Sequence, residues 1–303
     1  MTSPVLLLVN PSSGSDDKGS LIERAHKSFE GREHPLEVVR LRSGDDIAAR
    51  ARSAISGKPH AVIAAGGDGT VSAVASVLVD SGTRFGVVPA GTLNHFAKAL
   101  GIPMELDAAL AIAAGDTTRM VDVGEVNGRI FVNNSSIGLY PSIVVSREKQ
   151  QHRLGRGKWP AFAWAIFAAL RRYPFLFVRL RTGNEELVRR TPFVFIGNNE
   201  YVMEGLRIGT RARLDGGVLG VYMPHHTGRC GLLALAVRAL FSRLRDSREL
   251  DAVSLPGFSI ETPHRRLPVA LDGEVQLLDL PLVYRLRPRA LTVLAPPADG
   301  DAA

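Results

Sequence analysis

The stretch Ala61-Val62-Ile63-Ala64-Ala65-Gly66-Gly67-Asp68-Gly69-Thr70 decides how this chain is read. Five small or β-branched apolar residues run straight into a turn of three glycines. From Val71 to Val79 apolar residues recur at helical spacing. The pattern predicts a buried strand, a tight turn and a helix N-terminus. Such a terminus presents unpaired backbone N–H groups and the positive end of the helix dipole. Glycines let a phosphate approach that backbone closely. Thr70 is positioned to cap the helix or to donate to a phosphate oxygen. A sharp strand-to-helix connection with no ligand accounts for the same residues, and this stretch alone leaves both readings open. A Walker-type loop would need Lys and then Ser or Thr after its last glycine, and the chain lacks them. The pattern G-x-G-x-x-G finds Gly67 and Gly69 but meets Ser72 in its third position. Asp68 stands among the glycines. An acid there repels phosphates unless a metal or a hydrogen-bond network intervenes, which points to a nucleotide handled with Mg²⁺.

The flanking sequence repeats this theme. Val5–Val9 predicts a first buried strand, followed by the small polar loop Asn10-Pro11-Ser12-Ser13-Gly14-Ser15 and a helix from about Gly19. Leu36–Leu41 reads as a strand and Asp45–Ile55 as a helix. Phe85 to Pro89 reads as a strand, and Ala90-Gly91-Thr92-Leu93-Asn94 as a third loop of small and hydroxyl residues before another helix start. In an open α/β sheet, ligands gather beyond the carboxyl ends of the strands. Three such loops are expected to converge on one crevice. The β-α alternation argues for a parallel sheet with helices on both faces.

After Ala114-Gly115-Asp116 the texture changes to short strand-like runs: Thr118–Val126, Arg129–Ser135, Phe175–Thr182, Glu186–Ile196, Leu219–Met223, Phe258–Thr262, Val269–Leu271 and Leu291–Leu294. Turn signals such as Asn127-Gly128 and Asp215-Gly216-Gly217 separate them. The fold class is therefore an α/β N-terminal nucleotide-binding domain with a β-rich, sandwich-like C-terminal domain. The expected boundaries are residues 1–119 and 120–295, with the last strand free to return to the first domain and a disordered tail over 296–303.

Composition narrows the class. The chain has 303 residues, 45% hydrophobic and 22% charged, which is globular rather than disordered. One cysteine, Cys230, excludes an internal disulfide framework and suits a reducing compartment. The N-terminal apolar run is too short for a signal sequence. The longest later run, Pro160 to Leu170, is well short of the about 20 residues a bilayer span needs. Formal charge is +7, yet Arg147 to Arg213 alone holds 14 Arg/Lys against 5 Asp/Glu, a local +9. Two apolar helices are expected beside this basic charge, Pro160–Leu170 and Gly231–Arg245. Helices of this kind lie on anionic membrane surfaces, and they equally pack on a sheet. No recognition motif or aromatic interleaving supports nucleic acid as the anionic partner.

The ordered motifs resemble the diacylglycerol kinase catalytic-domain family, which includes bacterial diacylglycerol and related lipid kinases, sphingosine kinases and ceramide kinases. The resemblance rests on Gly66-Gly67-Asp68-Gly69-Thr70, Pro89-Ala90-Gly91-Thr92-Leu93-Asn94-His95-Phe96-Ala97, the Asn10–Gly14 loop, Val121-Asp122-Val123-Gly124, Asn133–Gly138, Gly197-Asn198-Asn199, Leu214–Leu219 and Leu271-Asp272-Gly273-Glu274. It implies an active site in the cleft between the two domains. It implies that ATP is held by Asn10, Pro11, Ser12, Ser13, Gly14, Gly66, Gly67, Asp68, Gly69, Thr70, Thr92 and Asn94. It further implies that Glu274 acts as general base on a lipid hydroxyl, joined by Asp272 and Asp68 as catalytic acids. At strand spacing Asp272 and Glu274 would project to the same side. Asp68 and Asp122 are expected to hold Mg²⁺ or its waters, and Asp215 to contribute to a metal site. Departures from the family pattern are Gly216 where many relatives carry a second acid, Ala73 where many carry Glu, and a second-strand Thr for which Ser43 is the nearest counterpart.

The resulting expectation is an ATP- and Mg²⁺-dependent lipid kinase, cytoplasmic and peripherally membrane-associated, with a lipid alcohol as substrate and an anionic membrane surface as partner. No nucleic acid is expected, and a homodimer is one assembly the reading allows. Alternatives are a kinase of a soluble metabolite such as NAD and a non-catalytic lipid- or nucleotide-binding protein.

Overall fold

A computed structural model describes residues 2–10, 18–41, 46–138, 141, 175–183, 185–202, 210, 211, 213–224 and 250–297. The chain divides into two compact units, Met1–Val123 with Arg287–Ala303, and Gly124–Leu286. The expected helices at 160–170 and 231–245, the residues Ser43 and Cys230, and the tail beyond 297 lie outside the described residues.

In the first unit the chain runs β1 (Val5–Val9), α1 (Lys18–Ser28), β2 (Leu36–Arg40), α2 (Ile47–Ser56), β3 (Ala61–Gly66), α3 (Asp68–Leu78), β4 (Arg84–Pro89), α4 (His95–Ala99) and α5 (Leu106–Ala113). The four strands are parallel, in the order β2-β1-β3-β4. β1 and β3 are buried along their whole length, as strands covered by helices on both faces must be. Val5, Leu7, Val9, Ala61, Ile63 and Ala65 pack against Leu21 and Ala25 of α1, Phe29 just beyond it, and Leu110 and Ala113 of α5. α3 buries Val71, Val74, Ala75 and Leu78. That i, i+3, i+4, i+7 spacing is one helix face, and α2 packs alongside it. Each fully buried Leu, Ile or Val contributes about 1.5–3 kcal/mol. α2 begins at Ile47 because the Asp46 carboxylate accepts the Ala49 N–H at 2.9 Å and caps it.

The chain goes outward from β1 to β2 and returns on the other side of β1 to make β3. At such a reversal α/β sheets bind ligands beyond the carboxyl ends of the strands, here those of β1 and β3.

The second unit is antiparallel. It takes up the end of β5 (Thr118–Val126) and holds β6 (Arg129–Phe131), β7 (Asn134–Gly138), β8 (Leu176–Thr182), β9 (Glu185–Thr191), β10 (Phe193–Asn198), β11 (Leu219–Pro224), β12 (Leu250–Leu255), β13 (Gly257–Glu261), β14 (Arg266–Leu271), β15 (Glu274–Asp279) and the start of β16 (Leu282–Leu294). One sheet has the order β12-β11-β10-β7-β14-β15; the other pairs β16, β13, β8 and β9. Their inner faces share one core, including Ile137, Ile196, Val221 and Val269 from the first and Val178, Leu180, Ile260 and Tyr284 from the second. That arrangement is a sandwich. The far end of β16 belongs to the first unit, where Val293 pairs with Phe85.

Two expected strands are interrupted. Glu186–Ile196 breaks at Pro192, which has no N–H for a ladder. Arg129–Ser135 breaks at Val132-Asn133, whose N–H groups go to the Asp272 side chain. β12, β15 and the first half of β16 were not expected.

Candidate functional site

In the first unit β3 ends at Gly66 and α3 starts at Asp68. Gly67 is the N-cap, extended at φ −84°, and no side chain caps the helix. The first backbone bond into the helix runs from the Val71 N–H to the Gly67 carbonyl at 3.0 Å. The N–H groups of the first turn are therefore left for an external acceptor. Thr70 does not cap the helix; it lies inside the first turn, buried, and its Oγ1 accepts from Asn10 Nδ2 at 2.8 Å. Gly66 must be glycine because a Cβ there would stand 2.7 Å from Thr70 Oγ1.

The β4–α4 loop lies backbone to backbone on this turn. A Cβ on Gly67 would sit 3.3 Å from the Gly91 Cα, and the Ala90 N–H donates to the Gly66 carbonyl at 3.0 Å. Asn94, in the left-handed region at φ 51°, holds Gly91 in both directions: its Oδ1 accepts the Gly91 N–H at 3.0 Å, and its Nδ2 donates to the Gly91 carbonyl at 2.9 Å. Its amide thus braces the loop. Thr92 is exposed at the loop tip. Asp68 Oδ1 receives the Phe96 N–H at 3.4 Å, the start of α4. The Asn10 N–H bonds the Ala65 carbonyl at 3.2 Å. The described parts of all three loops are joined around the N-terminus of α3. Pro11, Ser12, Ser13 and Gly14 lie outside the described residues. Asp122 is buried on β5, and its Oδ1 accepts the Arg289 N–H at 2.8 Å.

In the second unit Asp272-Gly273 forms the two-residue turn of the β14–β15 hairpin, with φ of 48° and 94°, and Leu271 pairs with Glu274. Both residues have positive φ, as a type I′ turn requires. The strand-spacing expectation for Asp272 and Glu274 is corrected here, because only Glu274 is on a strand. The Asp272 carboxylate instead turns onto residues 132–134. Oδ2 accepts the Val132 N–H at 2.9 Å, and Oδ1 accepts those of Asn133 at 2.8 Å and Asn134 at 3.0 Å. A carboxylate so engaged is an anchor. Glu274 is on the surface, yet desolvation first and the Asp272 charge second hold its carboxyl above the ordinary glutamate value.

Sequence reasoning missed the other side of this anchor. Arg211 is buried. It donates from Nη1 to the Val132 carbonyl at 2.7 Å and the Asn198 carbonyl at 3.3 Å, and from Nη2 to Asn133 Oδ1 at 2.8 Å. Tyr201 Oη donates to the Asn133 carbonyl at 3.2 Å, and Asn198 Nδ2 to the Val132 carbonyl at 3.0 Å. The Gly197-Asn198-Asn199 motif was noted, but no local signal links Arg211 to it.

Residues 4–126 match the diacylglycerol kinase catalytic domain family, and residues 141–295 match the YegS C-terminal NAD kinase beta sandwich-like domain family. A diacylglycerol kinase of Mycobacterium tuberculosis (strain CDC 1551 / Oshkosh) is 31% identical over 96% of this chain and 95% of its own. This chain belongs to the diacylglycerol kinase catalytic-domain family. It carries the catalytic domain of an ATP-dependent lipid kinase, a transferase. Among its relatives is a probable lipid kinase YegS-like protein of Chromohalobacter salexigens, 29% identical over 80% of this chain and 78% of that protein. The fold is shared with a diacylglycerol kinase from Bacillus anthracis str. Sterne, with a TM-score of 0.71, 20% identity and 98% coverage of both chains.

The donor sets fit the family's two ligands unequally. The uncapped first turn of α3 and the glycine contacts suit the phosphates of ATP. Among the described residues no three His, Cys, Asp or Glu side chains gather as a metal cage. Mg²⁺ carried by nucleotide phosphates needs only one or two carboxylates, and Asp68 is an acid of the turn itself. The accessory metal site expected at Asp215 does not fit. Arg213 Nε stands 3.1 Å from the Asp215 carboxylate, the Gly216 N–H is taken by Asn199 Oδ1 at 2.7 Å, and a Cβ on Gly216 would lie 2.7 Å from that oxygen.

Proposed function

We propose that this kinase transfers the γ-phosphate of ATP to the hydroxyl of a membrane lipid, diacylglycerol-like or sphingoid, at an anionic membrane surface. The observation that carries the reading is the uncapped α3 N-terminus packed on Gly91, within a chain of this family. In this reading Asn10, the N–H groups of Gly67 to Thr70, and Thr92 bind the nucleotide, together with Pro11–Gly14. Asn94 shapes the site by bracing Gly91. Asp68 and Asp122 would hold Mg²⁺ or its waters, which would offset charge on the phosphates.

The acceptor is an alcohol, a weak nucleophile until its proton has somewhere to go. Glu274 takes that proton as the alcohol oxygen bonds to the γ-phosphorus and the bond to the β-phosphate oxygen breaks, leaving ADP. A carboxyl held above its ordinary value is, once ionised, a stronger base than a free glutamate. Asp272 serves as the anchor of the turn carrying Glu274.

The test is transfer of labelled γ-phosphate to lipid alcohols in mixed micelles, with ATP fixed and acceptors varied. Glu274→Gln is expected to lower turnover by about 10²–10⁴-fold while ATP affinity stays within about twofold of wild type. Wild-type turnover in that variant would overturn the base assignment. Preference for a soluble acceptor such as NAD would overturn the lipid reading.

A further inference from the structure

The unusual charge in the second unit is Arg211. A buried guanidinium is costly unless paired. Among the described residues no carboxylate lies within ion-pair distance of it. Its hydrogen-bond partners are the Val132 and Asn198 carbonyls and the Asn133 side-chain oxygen, with the Tyr201 ring 5.7 Å away.

Among the described residues an answering charge, Asp272, acts through a peptide. The unit joining Val132 to Asn133 has its carbonyl on Arg211 Nη1 at 2.7 Å and its N–H on Asp272 Oδ1 at 2.8 Å. A trans peptide is a planar dipole, here with its negative end on the cation and its positive end on the anion. The next peptide repeats the pattern with neutral donors: the Asn133 carbonyl accepts from the Asn198 N–H at 2.9 Å and from Tyr201 Oη, while the Asn134 N–H goes to Asp272. The Asp272 N–H closes the ring onto the Asn134 carbonyl at 2.9 Å. Residues 132–134 are thus gripped on both edges, and the grip ends at the turn that presents Glu274.

We propose that Arg211 is a positioning residue for Glu274, acting through the Val132–Asn133 peptide and Asp272 to fix the Asp272-Gly273 turn. This rests on the reading of Glu274 as the base. It explains why a cation is buried there with no touching carboxylate among the described residues. A neutral side chain would take the donor from the Asn133 side-chain oxygen, leave the Val132 carbonyl with the Asn198 amide alone, and remove the cation that answers Asp272 across the peptide. Burial lowers the Arg211 pKa, opposed by Tyr201 and Asp272, yet an arginine stays charged at any working pH.

The experiment compares Arg211→Met, Arg211→Lys and Asp272→Asn by pH–rate profile, nucleotide affinity and amide hydrogen exchange. In Arg211→Met, kcat is expected to fall about 10-fold or more, with KM for ATP unchanged. Its acid limb should move to higher pH, because an Asp272 less balanced by a cation makes Glu274 harder to ionise. Arg211→Lys should restore part of kcat. In Asp272→Asn the limb should move to lower pH. These opposite shifts are a signature that loss of packing alone does not produce. Wild-type kcat and limb in Arg211→Met, or a lowered kcat with an unmoved limb and no rescue by Lys, would overturn the proposal. Should Arg211→Met fail to fold, Asp272→Asn decides alone, and an unmoved limb overturns it. Exchange separates this failure from that of the base. Faster exchange of the Asn133 and Asn134 N–H groups in Arg211→Met supports the grip even where Glu274→Gln retains activity, and that retained activity then refutes the base; unchanged exchange refutes the grip itself.

Discussion

Glu274 differs from an ordinary surface glutamate in its surroundings. Desolvation and the Asp272 carboxylate favour its protonated form. The native state therefore binds that proton more tightly than the unfolded chain. The stability this group contributes is present at low pH and is lost as pH rises through the folded value. Activity runs the other way, since the base must be ionised. The acid limb of kcat/KM is expected above the ordinary glutamate value of about 4.3, and Glu274→Asp should retain a limb while Glu274→Gln loses it. Asn199 offers a second residue-scale test. Its side-chain oxygen occupies the Gly216 N–H at 2.7 Å, in a loop where the family pattern would lead one to expect a metal. Asn199→Ala should cost about 1–3 kcal/mol, read by denaturant unfolding. Chelator should leave the wild-type midpoint unchanged; a large drop with chelator would show a metal in that loop.

At the scale of elements, the contact between the β3–α3 and β4–α4 turns governs nucleotide binding. Gly91 has no room for a side chain against the Gly67 Cα and the Asn94 oxygen. Gly91→Ala must push the two turns apart, and overpacking of this kind costs about 1–3 kcal/mol. ATP affinity measured by calorimetry should fall at least 10-fold, more than the unfolding midpoint alone would suggest. The opposite ends of the strands carry a different device. The His34 and His60 rings stack at 3.5 Å, and Arg84 Nη1 lies 2.8 Å from His60 Nε2, with Asp116 2.9 Å from the same Arg84 nitrogen. His60 is pushed below its ordinary value by desolvation first, then by His34 and Arg84. A lowered histidine gives stability that is present above the unfolded value, about 6.5, and is lost as pH falls through the folded one. The melting temperature should therefore drop on acidification below about pH 6.5, and His60→Gln should flatten that drop.

For the whole molecule, charge is the property that reaches furthest. The formal +7 predicts attraction to anionic vesicles that weakens with salt. Flotation with vesicles rich in anionic lipid should recover the protein at low salt and release it near 0.5 M salt, a concentration of about half-nanometre Debye length. No recovery at low salt would count against a membrane site of action. No helix among the described residues is long and apolar enough to cross a bilayer.

Local chemistry was sufficient for much of this molecule. β1, β3 and β4 are continuous apolar runs, α3 is a single-face apolar pattern, and Gly66-Gly67 before it could only be a close backbone turn; each signal is complete within about ten residues of chain. Asn127-Gly128 is likewise a hairpin turn by composition, whereas Asp272-Gly273, read at strand spacing, is a turn only in the folded chain. What tertiary structure alone decided is where side chains spend their hydrogen bonds. Asp272 looked like a second catalytic acid, and its oxygens are instead taken by N–H groups 138 to 140 residues away. Arg211 carried no signal at all, because its partners lie 13, 78 and 79 residues off. Periodicity reports which face of an element is apolar, but a buried charge is understood only once the chain has folded its answering dipoles around it.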